Sequence, residues 1–130
     1  MGVISRKYAS VIFVCSIAFI MIAPLQVIDV YAAVPATMNA PTVASFTDLS
    51  VKLAFVAPAS DSSITDYEIK QSTDNSTFTT VPTPPGTLLT EEVFQLTADT
   101  TYYFTVAAIS SEGTGTHSAS VSQKTLGAAA

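Results

Sequence analysis

The residues able to do chemistry are few. Among 130 residues there is one histidine, His117, one cysteine, Cys15, and no tryptophan. A catalytic histidine needs a nucleophile or carboxylate held within hydrogen-bond reach. His117 stands among threonines and serines beside a glycine turn, in "EGTGTHSAS", and a solvated loop is its expected place. One histidine leaves too few nitrogen and sulfur ligands for a transition metal. Glu91 and Glu92 are adjacent, and neighbours on a strand face opposite sides, so they do not form an acid/base pair. Asp61, Asp66 and Asp74 lack the compact spacing of a calcium loop. Cys15 lies in an apolar leader. A lipid-modified cysteine wants a small residue before it, and Val14 is there instead. The sequence therefore predicts no catalytic residue, no metal and no cofactor, and so no enzyme.

Two kinds of candidate remain. "NST" at Asn75–Thr77 is a glycosylation sequon on an expected exposed turn. Tyr103 should face away from Tyr102 and outward, with Glu68 and Lys70 on a neighbouring strand of the same sheet. With His117, these form a candidate contact surface. Charge narrows the partners. Beyond Ala33, three lysines stand against nine carboxylates, a net of −6. An acidic domain without a basic stripe repels phosphate backbones, which excludes nucleic acid.

The first 33 residues read as a separate functional unit. Arg6 and Lys7 precede an uncharged stretch from Tyr8 to Ile28, followed by small residues at Ala32 and Ala33. This is the pattern of a secretory signal peptide cleaved after Ala32. The same stretch, residues 8–28, is long enough to cross a ~30 Å hydrocarbon core as a hydrophobic helix if it is retained. With Arg6 and Lys7 inside, the domain faces outward in both cases. The expected location is extracellular or cell-surface, with contact to membrane only through residues 8–28. Cys15 lies within the leader, so the exported part can form no internal disulfide and must rely on packing.

Residues 34–40 are expected to be a short linker, residues 41–125 one domain, and 126–130 a tail. The domain shows no helical period. Strand patterns alternate with turn signals: Pro41–Phe46, Ser50–Val56, Ile64–Ser72, Thr77–Val81, Glu91–Leu96, a strand around Tyr102–Ala108, and Ser118–Thr125. In the second, Val51, Leu53 and Phe55 share a face; in the sixth, Tyr102, Phe104, Val106 and Ala108 do. Seven short strands without a helix predict an all-β fold, a seven-stranded antiparallel β-sandwich. Its core should hold Phe55, Tyr67, Leu96, Tyr102, Phe104 and Val106.

Over about Pro41 to Thr125 the chain resembles a fibronectin type III domain, of immunoglobulin-like topology. That family's second-strand motif S-V-x-L-x-W-x-x-P is matched by Ser50, Val51, Leu53 and Pro58, with Phe55 in the tryptophan position. Its third-strand motif I-x-x-Y-x-V is matched by Ile64, Tyr67 and Ile69. The signature L-x-P-x-T-x-Y-x-F-x-V-x-A aligns with Leu96, Thr100, Tyr102, Phe104, Val106 and Ala108, with Ala98 replacing the proline. The resemblance makes Tyr102 a tyrosine corner, its ring in the core and its hydroxyl bonded to backbone a few residues upstream. It also implies a non-catalytic interaction, adhesion or spacer module that meets a protein or glycan outside the cell. No Arg-Gly-Asp occurs, so the integrin-binding mode of some members does not carry over. The alternatives are a structural subunit of a surface layer, filament or virion coat, and an accessory module to a secreted glycan-active enzyme.

Overall fold

A computed structural model describes residues 33–59 and 63–129. The expected leader, the hydrophobic helix expected over residues 8–28, and Asp61 lie outside the described residues. Eight strands follow in order: β1 Thr42–Phe46, β2 Val51–Ala54, β3 Ile64–Ser72, β4 Thr79–Val81, β5 Thr90–Val93, β6 Thr101–Ser110, β7 Gly113–Thr114 and β8 Val121–Lys124. One sheet has the order β1-β2-β5. The other runs β4-β3-β6-β7, with β8 also paired to β6. Every pairing is antiparallel. No helix among the described residues is long and apolar enough to cross a membrane.

The expected strand count was seven, and the eighth is β7, Gly113–Thr114, which falls within the glycine turn expected before the last strand. Ile109 faces Thr114 on β7, whereas Phe104 faces Val121 on β8. Five residues along β6 are thus matched by seven on the returning chain. The two extra residues form a bulged connection between β7 and β8 that still bonds to β6, through Gly115 N–H to Ala108 O (2.8 Å) and Ser118 N–H to Val106 O (2.9 Å). Bulges of this kind re-aim side chains, and here the bulge carries His117.

Alternation builds the core. Val51 and Leu53 on β2, Tyr67 and Ile69 on β3, and Tyr102, Phe104, Val106 and Ala108 on β6 point between the sheets and are buried with Phe55, Val93 and Leu96. Phe55 meets Tyr67 edge-to-face at 5.0 Å between centroids, and Tyr102 stacks beside Phe104 at 6.2 Å. Burying an aliphatic or aromatic side chain of this size contributes about 1.5–3 kcal/mol, so packing takes the place of a disulfide.

Residues 34–40, expected to be a linker, are part of the packed body. Met38 is 3 % exposed within the core cluster and Pro35 is buried. The carbonyl of Pro35 lies where a side chain at Gly115 would begin. Glycine at 115 is what lets the incoming chain pass so close to the end of β7.

Candidate interaction face

The outer face of the larger sheet gathers the polar residues expected to make contacts. Because Tyr67 and Ile69 turn inward, Glu68 and Lys70 turn outward on β3. Because Tyr102 and Phe104 turn inward, Tyr103 and Thr105 turn outward on β6. The register sets Glu68 opposite Ala107, Lys70 opposite Thr105, and Tyr103 between Ser72 and Ser122. Small residues at Thr105 and Ala107 leave a shallow strip along the central strand, and both are buried there by their flanking strands.

His117 closes over this strip. It is half-buried, with Nδ1 3.1 Å from Thr105 Oγ1 and Nε2 3.3 Å from Glu68 Oε1. This corrects the expected solvated loop, and the cause is the bulge between β7 and β8, which turns the ring across β6 toward β3. Glu68 also accepts from Thr80 Oγ1 at 2.8 Å and lies 3.8 Å from Lys70 Nζ. Burial works against its charge, but the Thr80 bond, Lys70 and His117 outweigh that and hold the Glu68 carboxyl below its ordinary range. One carboxylate thus ties β4, β3 and the bulge together across β6.

A hydroxyl, an imidazole and a carboxylate in a row invite comparison with a nucleophile and its base. Thr105 is only 7 % exposed beneath the histidine, which walls its hydroxyl off from a substrate. The row is a cross-strand brace. Tyr103, half-buried at its side, presents the aromatic surface of the face.

At the β3–β4 turn, Asn75 is exposed with φ 57°, and its Oδ1 accepts from Ser120 Oγ at 2.8 Å. Residues 73–77 are all exposed, so the sequon is open to solvent, although the Asn75 side chain is tied by that bond to the residue before β8.

The tyrosine corner has its expected form. Thr97 N–H donates to Tyr102 Oη at 3.0 Å, five residues upstream. Sequence reasoning missed Thr125, whose Oγ1 accepts from Thr100 N–H (3.0 Å) and donates to Thr97 O (2.7 Å). That clasp holds the turn in which Ala98 replaces the proline.

A family model described as "Fibronectin type III domain" matches residues 37–124. The chain belongs to the fibronectin type III family. Solved structures with the same fold include titin domains A168–A170, with TM-score 0.67 and 25 % identity, covering 73 % of this chain and 33 % of that one. The sixth fibronectin type III domain of human fibronectin type III domain containing protein 3 gives 0.63 and 23 %, covering 77 % and 93 %. The chicken CNTN1 FN1–FN3 domains give 0.66 and 22 %, covering 74 % and 34 %. The chain therefore spans about a third of the titin and CNTN1 fragments and nearly the whole of the single human module. No curated protein sequence matches it. The fibronectin type III assignment agrees with the motifs of β2, β3 and β6, and the model match begins at Thr37, beside the buried Met38.

Proposed function

We propose that this fibronectin type III domain is a non-catalytic interaction module exported from the cell, which meets a protein or glycan through the outer face of its larger sheet. The observation that supports this reading is the convergence of Tyr103, Glu68, Lys70 and His117 on one braced surface. Braced polar groups around an aromatic lose little freedom on contact, which is what favours a binding face over scattered surface charge. The leader supports display outside the cell, secreted or tethered by residues 8–28. Among the alternatives, assembly into a layer or filament would use strand edges. None of the edge strands β1, β4, β5, β7 and β8 exceeds five residues, and β5 carries Glu91 and Glu92. Short, charged edges resist edge-to-edge pairing.

The test compares retention of the exported protein on the surface of its producing cells. Tyr103→Ala combined with Lys70→Glu should abolish retention while leaving the thermal transition of the domain in place. Equal retention by both proteins would overturn the assignment to this face, and recovery of all material inside the cell would overturn export.

A further inference from the structure

A second feature lies on the flank of the sandwich, where Asp66 on β3 also borders the depression lined by Glu68 and Thr80. Strand β5 is the edge of the smaller sheet, and its register sets Glu91 opposite the buried Leu53, hence on the core-facing side. Beside it, the Asp66 carboxylate on β3 receives the N–H groups of Tyr67 (2.8 Å) and Gly86 (3.1 Å). The two carboxylates border a partly open cavity of about 90 Å³, walled by Phe55, Tyr67 and Ile69 and by Pro84, Pro85 and Leu88 of the exposed loop before β5. Phe55 occupies the position where the family motif has tryptophan, so the wall is set back by the smaller ring.

Nothing in the described chain neutralises these acids. Its ion pairs fall on Glu68 and Asp99. Burial, and then the negative charge of Asp66, push the Glu91 carboxyl above its ordinary range. A cation would relieve both effects. A strongly hydrated metal ion would leave the apolar walls unused, whereas an ammonium on a short alkyl stem uses walls and carboxylates together. The volume has room for such a stem, since on the same measure a single water needs only about 10–15 Å³.

We propose that the cavity beneath the Pro84–Pro85 turn binds an alkylammonium group, of the kind that ends a lysine side chain or a free aliphatic amine. The site uses neither Tyr103, Glu68, Lys70 nor His117, so it stands or falls separately from the function above.

The experiment titrates the isotope-labelled full chain with n-butylammonium chloride, n-butanol, sodium chloride and calcium chloride, following the backbone amides of Gly86, Leu88 and Glu91 by NMR. Saturable shifts are expected with butylammonium alone. Affinity should fall about tenfold or more in Glu91→Gln, the size of effect a lost charge-assisted contact produces. Phe55→Trp, which fills the cavity, should abolish the shifts while leaving the amides of β6 in place. A blocked tripeptide with a central lysine separates the two sources. Saturation below the butylammonium concentration assigns the site to a partner's lysine, and weaker saturation assigns it to free amines. Equal shifts with butanol or sodium chloride, saturation by calcium instead, or unchanged affinity in Glu91→Gln would overturn the proposal.

Discussion

The hydroxyl of Tyr102 does a job that no apolar ring can do. It accepts the N–H of Thr97 at 3.0 Å, at a turn whose next residues include Asp99 at φ 54°. Tyr102→Phe keeps the ring's packing against Phe104 and leaves that N–H without its partner. Thr97 is exposed, so water can take the place of the lost partner and the cost is that of a net hydrogen bond, about 0.5–1.5 kcal/mol, and each kcal/mol lowers the melting temperature of a domain this size by roughly 4–8 °C. Thermal denaturation should show that loss with the strand content unchanged. A melting temperature equal to that of the parent would mean that Thr125 holds the turn alone. The corner was legible in the sequence because its spacing is local. The Thr125 clasp was not, because it joins residues 25 apart that meet only when β8 lies beside β6.

At the scale of the element, the β3–β4 turn is organised by one side chain. Asp74 Oδ1 accepts from Ser72 Oγ (2.7 Å) and from the N–H groups of Ser76 and Thr77 (2.8 Å each). These bonds favour the carboxylate, and together they lower the Asp74 pKa to about 2. Its value in the unfolded chain is about 3.9, so the folded value is the lower one. The stabilisation is then fully present above the unfolded value and is lost as pH falls through about 2. Asp74→Ala should melt below the parent near neutral pH, and the gap should close as the solution is acidified through that range. A gap that persists at the acid end would show that the turn is held by something other than the ionised carboxylate. The "TDNS" turn was legible from its residue types, since Asp and Asn bond locally and Asn tolerates positive φ. Strand β7 was not: Gly113 and Thr114 read as part of a glycine turn, and their pairing with Ser110 and Ile109 is set by the partner strand.

At the scale of the whole molecule, the entry segment belongs to the body. Met38 fills part of the core, and Gly115 gives way to Pro35. Met38→Ala should cost about 2–5 kcal/mol, the usual range for emptying a buried site of this size, measurable by chemical denaturation of the full chain. A change within experimental error would mean that residues 34–40 are the linker their prolines suggest. The segment looks like a linker in sequence because it has no alternation. It is buried because the two sheets leave a place for one more apolar side chain, and a place of that kind exists only once both sheets are packed.

What the sequence by itself determined follows from short-range rules. Period-two alternation, turn residues and three strand motifs specified an all-β sandwich, most of its strands and the inward rows of β2, β3 and β6, since each depends on residues a few positions apart. The same alternation placed Glu91 and Glu92 on opposite sides. Only the tertiary structure decided what those side chains meet. Pairing of β3 with β6, and of β6 with the bulged last strand, brought His117 to Glu68 across 49 residues of chain. The gap between the two sheets set the inward Glu91 beside Asp66 at a cavity. Long-range proximity has no signature in a single chain's periodicity, because it is fixed by how sheets stack and not by how a strand alternates.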